Sequence, residues 1–587
     1  MKNIIKFCTL FFAFGITTSS CNKWLEEKNY GEPTGEIFRE EANIILLVGQ
    51  AYADLKWLHD HWGYWGINTL TSDEATCPVR SPGDHWEDGG YWKNFATHNW
   101  TPNDDAFELL WQTSVNGAVG CNRILKILDQ NKDVISEELY GEYVGELEVL
   151  RSYYFYTLFE CFGRIPYTET FEESTNVELM TAAEVWHQLV NCIERNAPNM
   201  KVVTDVNRAS LYGRVTQGFA YSLLARLYLN AESYGVTDVT NAYQKCADAC
   251  DMVISTGSYI IEPDFFTNFA IKNENSKENI FVIVENGNAG FDARNWNGSQ
   301  MMNKLRVTML SLHYCHQQAW NLIEKPWNGF VATPELIELY DVADHRGPCP
   351  ANEGTLATQK WGWFLGPITD VSGNILKDEN KLPAVIFKDI KSDSIWKGIP
   401  LVNLADDNPN NDTAKESFIK ADLQNPILVS TGTPSISKTS WNAGARLWKF
   451  EIDKVKANKF CENDFPLFRY ADVLYMKAEA ILRGAAGSID YGGDMATIRT
   501  RVGMLAYNSG TLNLNELLNE RGREFAWELI RRRDLIRFGK YDQAAFWAAS
   551  TAWRGTVNTA TYRNWLPLPK PILETSPIWT QNEGYIN

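Results

Sequence analysis

The 587-residue sequence contains few histidines and none of the short motifs that mark common catalytic sites. It has eight histidines and no H-E-x-x-H, G-x-S-x-G, Walker A or dinucleotide-binding glycine pattern. Cys246 and Cys250 share a predicted helix face, but no second cysteine or histidine pair accompanies them at zinc spacing. The sequence therefore predicts no cofactor, no zinc site and no disulfide framework. Paired carboxylates for glycoside hydrolysis stay possible, because the separation of two acids depends on geometry.

Positive charge is also scarce. The chain has 55 basic and 73 acidic residues, for a net charge of −18, which argues against nucleic acid and anionic lipid surfaces as partners. Long apolar runs are missing: Ile4–Ile16 is too short to span a membrane. Because Lys2 and Lys6 precede this run, it predicts a secretory signal peptide.

Aromatic residues, in contrast, are abundant. The chain has 22 Trp, 25 Tyr and 28 Phe, and many of the tryptophans lie in polar segments rich in glycine and asparagine, which are poor core material. A flat apolar ring at a surface is what a sugar ring stacks on. The composition therefore favours a ligand with flat apolar faces, such as a carbohydrate.

Amphipathic periodicity predicts a chain that is mainly helical. The expected helices are 41–58, 106–129, 137–162, 181–197, 214–230, 241–255, 474–482 and 495–502. Gly218 and Tyr221, followed by Ala242, Cys246 and Ala249, have tetratricopeptide spacing, although an ordinary helical hairpin would give much the same pattern. Residues 63–103 are expected to form a loop-rich insertion. Residues 259–459, with short β-rich runs at 279–285 and 384–387, are expected to form a mixed subdomain.

The stretch Asn519–Lys540, NERGREFAWELIRRRDLIRFGK, interleaves both charge signs with a hydrophobic stripe. Leu514, Leu518, Phe525 and Leu529 recur at a helical period, and Gly522 lies on the same face, where a neighbour could approach closely. Arg replaces Lys almost throughout, and Arg is the cation that binds carboxylates bidentately in partly buried networks. A solvated charged helix is the alternative interpretation.

This stretch resembles the C-terminal signature of the SusD/RagB family, the outer-membrane nutrient-binding lipoproteins of Bacteroidota. Further segments are similar to the family in the same order: DFPLFRYADVLYMKAEA at 464–480, IRTR at 498–501, WLPLP at 565–569 and QNEGY at 581–585. The resemblance implies a tetratricopeptide-like superhelix of helical pairs with a mixed insertion. Its implied divisions are a signal peptide (1–20), a lipidated linker (21–40), a helical region (41–258), a variable ligand-binding subdomain (259–459) and the signature region (460–587).

The same resemblance implies a surface protein without catalysis of its own. It would capture oligosaccharides outside the cell and deliver them to a TonB-dependent SusC-like transporter in the outer membrane. Cys21, which follows two serines after the apolar run, would be acylated and would anchor the protein, and Glu26 and Glu27 resemble a surface-export signal. Two alternatives stay open: a surface glycoside hydrolase, and a RagB-like protein of the same fold that binds peptides.

An early loop carries the candidate binding residues, because the SDE run at 72–74 and the later W-x-D-G-G-x-W resemble the glycan-binding segment of the family. Asp and Asn can hydrogen-bond to vicinal hydroxyls, Arg can bridge two of them, and Trp can stack on a ring. A second aromatic set contains Trp296, Tyr314, Trp320, Trp327, Trp361 and Trp363, although WNGF at 327–330 resembles a structural turn. The predicted ligand-binding residues are Asp73, Arg80, Trp86, Trp92, Asn94, Trp296 and Trp320.

Two weaker patterns favour structural interpretations. Asp406, Asn408, Asn410 and Asp412 alternate as in a calcium loop, but the sixth position is Asn411 and the twelfth is not Glu, so a solvated loop is favoured. The pairs His59/His61 and His313/His316 are expected to be polar members of aromatic clusters rather than metal ligands.

Overall fold

The computed structural model describes residues 35–58, 60–80, 86–171, 177–285, 306–350, 360–378, 383–391, 433–453 and 461–586. The predicted signal peptide, Cys21, Glu26, Glu27, His59, Trp296 and the loop 406–412 lie outside these residues. Within the described ranges, no helix combines the length and the hydropathy needed to cross a membrane.

The fold is mainly α-helical, as the sequence predicted. The first helices are α1 (Glu41–Gly49), α2 (Tyr64–Leu70), α3 (Lys93–Ala96), α4 (Asp105–Gln130), α5 (Glu137–Phe162), α6 (Ala182–Asn196), α7 (Arg208–Leu211), α8 (Gln217–Leu229) and α9 (Ala242–Ile254). Three short helices follow: α10 (Arg306–Ser311), α11 (His316–Trp320) and α12 (Pro334–Ile337). The last are α13 (Tyr470–Leu482), α14 (Gly493–Thr500), α15 (Leu514–Glu524), α16 (Arg531–Arg537), α17 (Ala544–Trp547), α18 (Thr551–Arg554) and α19 (Lys570–Thr575).

The strands are short and pair antiparallel in twos. The pairs are β1 (Ala75–Thr76) with β5 (Val331–Ala332), β2 (Ile165–Pro166) with β3 (Leu179–Met180), β4 (Asn279–Ile283) with β10 (Phe465–Arg469), β6 (Trp363–Phe364) with β9 (Arg446–Leu447), and β7 (Gly366–Pro367) with β8 (Val385–Ile386). The predicted runs at 279–285 and 384–387 are thus strands, and the first of them joins the signature region through β10.

Helix α5 lies at the centre of the helical layer and has the predicted bounds. The hydroxyl of Ser136 accepts a hydrogen bond from the backbone N–H of Leu139 and caps its start. Gly163, with φ of 71°, ends the helix. From Val149 to Phe162 its side chains are buried on every side, because α4, α6 and the aromatic residues of β4 and β10 pack around it.

Helices that follow one another in the chain pack together, in agreement with the predicted pairs. Helix α4 packs on α5, α8 on α9, and α9 on α13, which in turn contacts α14. Cys246 and Ala249 of α9 are buried in this stack, and the described cysteines are free thiols.

Two predicted segments differ from the structure. The expected helix 41–58 is α-helical only to Gly49 and continues to Trp57 as a tighter 3-10 helix, which agrees with the low helix propensity of glycine. The expected loop 63–103 contains α2, all seven residues of which are buried. A helix that is buried on all sides has no amphipathic period, so the hydrophobic pattern does not reveal it.

The charged residues of the C-terminal signature are buried in an ion-pair network, so the alternative of a solvated helix is wrong. Glu520, which is fully buried, accepts hydrogen bonds from Arg346 Nη1 at 2.7 Å, Arg499 Nη1 at 2.7 Å and Arg523 Nε at 2.9 Å. The hydroxyl of Tyr475 donates a fourth at 2.9 Å. One carboxylate thereby joins α13, α14, α15 and the loop before β6.

Glu524, one helical turn later, makes a second node. Its oxygens accept from Arg346 Nη1 at 2.8 Å, Arg469 Nη1 at 2.8 Å and Arg501 Nη2 at 2.7 Å. Arg469 and Arg501 also share Glu278, so the network reaches the residue before β4. Both arginines of the IRTR segment therefore bind carboxylates of other elements.

A second network joins α8, α13, α15 and α16. Arg521 donates to Asp472 Oδ1 at 2.8 Å and to Asp534 Oδ2 at 2.7 Å, and Arg226 of α8 donates to Asp472 Oδ2 at 2.6 Å. Arg537 completes it through Asp534 at 2.7 Å. Charge-assisted hydrogen bonds of this kind fix geometry as well as contribute energy.

The helical period of the signature stretch is interrupted at residues 525–530. Trp527 and Leu529 have φ of 63° and 74°, a left-handed conformation that costs on the order of 1–3 kcal/mol per residue. Trp527 is held there by Glu74, whose carboxylate accepts from its backbone N–H at 3.3 Å and whose carbonyl accepts from its indole N–H at 3.2 Å. Gly522 has the predicted close neighbour: a Cβ there would lie 2.9 Å from Arg531 Nη1.

We predict that Glu520→Gln lowers the free energy of unfolding by about 3–5 kcal/mol, because it leaves buried guanidinium groups without their counter-charge. The matched control is Asp129→Asn. Asp129 pairs with Lys132 at 3.4 Å, and both side chains are more than half exposed, so the expected change is below about 1 kcal/mol. Denaturant unfolding followed by circular dichroism and tryptophan fluorescence measures both variants, and equal midpoints would contradict the prediction.

We also predict that the protein loses stability as the pH falls below about 4. Burial opposes ionisation of Asp472, but the charges of Arg521 and Arg226 lower its pKa to about 2. Glu524 is likewise buried, and Arg501 and Arg469 lower its pKa to about 2. The unfolded chain, with ordinary carboxyl pKa values near about 4, binds protons first, so this stabilisation is present above about pH 4 and is lost towards about pH 2. The same unfolding measurement, repeated across this range, would show constant stability if the prediction were wrong.

Candidate functional site

The pairing of β1 with β5 brings two distant loops together. Thr76 lies opposite Val331 and Ala75 opposite Ala332, so the loop that follows β1 meets the turn that precedes β5. Arg80 strengthens this contact, because its Nη1 donates to the carbonyl oxygen of Gly329 at 3.0 Å. Burial lowers the pKa of Arg80 to about 10. The early loop and the WNGF turn therefore form one site.

Three buried rings form the floor of this site: His61, Trp92 and Phe330. The ring centroids of His61 lie 5.6 Å from Trp92 and 5.8 Å from Phe330, and those of Trp92 and Phe330 are 6.0 Å apart. Such contacts contribute roughly 0.5–1.5 kcal/mol each beyond burial alone. His61 is thus a polar member of an aromatic cluster, as predicted.

Above this floor lie five half-buried rings, which we call the aromatic surface: Trp62, Trp86, Tyr91, Tyr314 and Trp327. Trp86 packs against Trp327 at 5.5 Å, and Trp62 packs against Tyr91 at 5.1 Å. The hydroxyl of Tyr314 accepts a hydrogen bond from the backbone N–H of Trp86 at 3.1 Å. Each ring is fixed by the floor or by a neighbour and keeps part of its surface open to solvent.

Close packing behind Trp86 requires glycine at position 329. A Cβ atom there would lie 2.2 Å from Trp86 Cε3 and 2.9 Å from the carbonyl oxygen of Leu310. Gly329 therefore lets the backbone of the WNGF turn lie directly against the indole ring.

Charged groups stand at the edge of the aromatic surface. The Oδ2 atom of Asp88 accepts from the indole N–H of Trp92 at 2.8 Å and lies 3.7 Å from His61 Nε2. The ammonium group of Lys325 lies 4.2 Å from the ring centroid of Tyr314, within the range of a cation–π contact. The surface thus combines flat apolar faces with a carboxylate and an ammonium group, which can bind hydroxyls.

The structure brings three of the predicted residues, Arg80, Trp86 and Trp92, into this one site. Asn94 is exposed on α3, two residues after Trp92. Asp73 is 8% exposed, and its carboxylate accepts from Arg531 Nε at 2.7 Å and Nη2 at 2.8 Å. Through these contacts Asp73 joins the early loop to the signature region. Its contact with a ligand stays a prediction.

Trp320 lies in a different aromatic cluster. It is 6% exposed, stacks on Trp448 with centroids 5.6 Å apart, and lies 4.1 Å from His316. Its predicted contact with a ligand is likewise untested. Trp92, which was predicted to bind the ligand, is fully buried. Its ring packs beneath the aromatic surface.

The predicted ligand-binding residues did not include Trp62, Tyr91 or Asp88, although Asp88 is the acid of the W-x-D-G-G-x-W motif. Trp62 and Tyr91 occur in glycine-rich aromatic segments like that of Trp86, so the same compositional signal applied to them. Trp327 belonged to the second aromatic set, but the WNGF turn that carries it was interpreted as structural. The turn does pack on Trp86, and the ring of Trp327 is also partly exposed to solvent.

A separate cavity of about 590 Å³ lies between α1, the following 3-10 helix and β4. Exposed aliphatic side chains, including Leu46 and Val284, line its mouth. Its buried acid, Glu146, is already bound by Arg214 Nε at 3.1 Å and by the hydroxyl of Tyr52. Because its polar groups are satisfied, this cavity suits a carbohydrate less well than the aromatic surface does.

Sequence comparison assigns the chain to a family. The SusD family matches residues 277–585, and a second family, described as "Starch-binding associating with outer membrane", matches residues 23–229. The chain belongs to the SusD family. This is a non-catalytic family. A curated member, the starch-binding protein SusD of Bacteroides thetaiotaomicron, is 24% identical over 539 residues, which cover 89% of this chain and 85% of that protein.

Solved structures of SusD-like proteins have the same fold. Surface glycan-binding protein A from Bacteroides thetaiotaomicron superposes with a TM-score of 0.65 at 19% identity, covering 93% of this chain and 99% of that one. Its complex with laminarihexaose gives a TM-score of 0.64 at 19% identity over 92% and 99% of the two chains. A SusD superfamily protein from Parabacteroides distasonis gives 0.65 at 17% identity over 93% and 99%.

We predict that Gly329→Ala displaces the ring of Trp86 and destabilises the protein by about 1–3 kcal/mol through overpacking. The matched control is Gly120→Ala in α4, where a new Cβ meets nothing within 4 Å and stability should rise by roughly 0.5–1 kcal/mol. Acrylamide quenching of tryptophan fluorescence should increase only in the first variant. Unchanged quenching in Gly329→Ala would show that the glycine is not required for this packing.

Proposed function

We propose that this protein is a non-catalytic surface lipoprotein that captures oligosaccharides on its aromatic surface and delivers them to a SusC-like TonB-dependent transporter. The observation that carries the proposal is the arrangement of five half-buried rings over a rigid floor of His61, Trp92 and Phe330. Related proteins described as binding starch or laminarihexaose support a glycan as the ligand.

The geometry suits sugar binding by stacking. The C–H faces of a pyranose ring are apolar, and they pack on indole and phenol rings such as those of Trp86 and Trp327 while the hydroxyls at the ring edge reach polar groups. Asp88 can accept from a hydroxyl, and Lys325 can donate to one. Because the rings are already held in place, binding orders few side chains.

Delivery requires that the ligand is bound weakly enough to be released. Stacking contacts and a few solvent-exposed hydrogen bonds give an affinity that a conformational change in a partner can overcome. The aromatic surface would face the lumen of the transporter. Acylated Cys21, at the end of a linker that precedes α1, would hold the protein at the outer membrane facing the cell exterior.

We predict that Trp86→Ala and Trp327→Ala each weaken glycan binding about tenfold, the loss expected when one stacking contact of roughly 1.5 kcal/mol is removed. Trp579→Ala is the matched control, because Trp579 is also half-buried but packs on Trp111 of α4. Native affinity electrophoresis in gels that contain starch, laminarin or other polysaccharides measures binding of the chain from Trp24 onward, without the predicted signal peptide and Cys21.

The outcomes separate the alternatives. Retardation by a glycan that is lost in the first two variants and kept in Trp579→Ala supports the proposal. New reducing ends in the polysaccharide would identify a glycoside hydrolase instead. Retardation by no glycan, together with saturable binding of peptides, would indicate a RagB-like peptide-binding protein.

A further inference from the structure

Arg446 on β9 differs from the other completely buried arginines. Arg346 and Arg469 lie in the carboxylate networks described above. Arg151 lies 3.1 Å from Glu169 Oε1. Arg532 and Arg554 contact no carboxylate among the described residues, but the charge of Glu160 acts on Arg532, and those of Glu335 and Asp73 act on Arg554. Arg446 is 0% exposed, and among the described residues no carboxylate contacts it.

Within the described ranges, therefore, no carboxylate compensates the charge on Arg446. Burial, and then the charge of Arg80, hold the pKa of Arg446 well below its usual range, yet a guanidinium group keeps its proton under physiological conditions. A buried cation without a counter-charge costs several kcal/mol. A native fold that contains one needs a compensating negative group.

The hydrogen bonds of Arg446 are also incomplete. Its Nη2 donates to the carbonyl oxygen of Trp441 at 2.8 Å, but its Nε and Nη1 atoms are buried and have no partner among the described residues. Each unsatisfied buried donor adds about 1–3 kcal/mol to the cost.

Two histidines of the segment 313–316 carry further buried donors. The Nδ1 atom of His313 accepts from the backbone N–H of Cys315 at 3.1 Å, and that of His316 accepts from the backbone N–H of His313 at 3.0 Å. Each neutral imidazole therefore carries its proton on Nε2. Both Nε2 atoms are buried without a partner in the described part of the chain.

These donors belong to one electropositive region. The charge of Arg446 lowers the pKa of both histidines, after burial, and Arg80 and Lys325 act on His313 in the same direction. The walls are aromatic: the ring of His316 lies 4.1 Å from Trp320 and 4.7 Å from Phe364, and Phe364 pairs with Arg446 across β6 and β9.

We propose that Arg446, His313 and His316 bind a small inorganic anion of the halide type, such as chloride. A monatomic anion supplies the missing charge, accepts several N–H donors at once and needs little space between aromatic rings. A monatomic anion suits this enclosed position better than a carboxylate on a larger ligand, because the donor atoms are buried.

The anion would brace the aromatic surface from behind. It would join the segment 313–316 to β9. Tyr314 lies in this segment: its ring packs edge-on against Trp441 at 5.7 Å, and its hydroxyl binds the backbone of Trp86. Halide binding should therefore stabilise the folded protein even when no glycan is present.

The direct test is crystallography of the protein grown or soaked in sodium bromide, with data collected at the bromine absorption edge. An anomalous peak within hydrogen-bond distance of the Arg446 guanidinium and of both Nε2 atoms is expected. Clear density for a water molecule or for no atom at that position, without an anomalous peak, would overturn the proposal.

A second test measures the midpoint of thermal unfolding while chloride replaces gluconate at constant ionic strength. The midpoint should rise saturably in the wild-type protein and in Arg532→Met, which removes a buried arginine near Glu160. Arg446→Met should abolish the rise. His316→Phe keeps an aromatic ring and removes one donor, so it should raise the half-saturating chloride concentration about tenfold. This variant tests the site even if Arg446→Met does not fold. An equal midpoint in both anions, or a rise that persists unchanged in the folded variants, would refute the site.

Discussion

The buried pairing of arginines with carboxylates is the interaction on which the rest of the structure depends. Glu520 and Glu524, one turn apart on α15, bind arginines from the loop before β6, from β10, and from α14 and the residue that follows it. An ion pair of this kind is not a large net source of stability, since desolvation offsets most of its attraction. It does define which elements can meet, because a displaced arginine would leave a carboxylate buried and unpaired. The helical layer and the short strands are thereby held in one arrangement.

That arrangement positions the aromatic surface. The turn at residues 525–530 presents Trp527 to Glu74, and Arg531 of α16 holds Asp73. The early loop leaves β1 from this anchored point, and β1 pairs with β5 directly after the WNGF turn. Aromatic packing holds the floor beneath the solvent-facing rings. The buried ion pairs of the signature region fix the position of that floor.

Local signals predicted much of the helical layer. Helix α5 has the predicted bounds because Ser136 and Gly163 specify its ends, and the resemblance of the C-terminal segments identified the family. The sequence could not predict the interruption at Trp527 and Leu529, since neither residue favours positive φ and Trp527 is held there by the distant Glu74. Helix α2 was hidden because it is buried on all sides. Of the predicted binding residues, Arg80, Trp86 and Trp92 lie together. Tyr91 is next to Trp92 in the chain, whereas Trp62 joins them through tertiary packing, which its spacing does not encode.

The contact between Asp73 and Arg531 also constrains how the chain reaches its native state. The two residues are 458 positions apart. Arg346 binds Glu520 of α15 across 174 positions, and Arg469 binds Glu278 across 191. Folding with such a high contact order is slow, because long loops must close before their contacts form. The core cannot be completed until the signature region has emerged at the end of synthesis. A chain with this topology therefore commits to its structure only after the last quarter of its sequence is present.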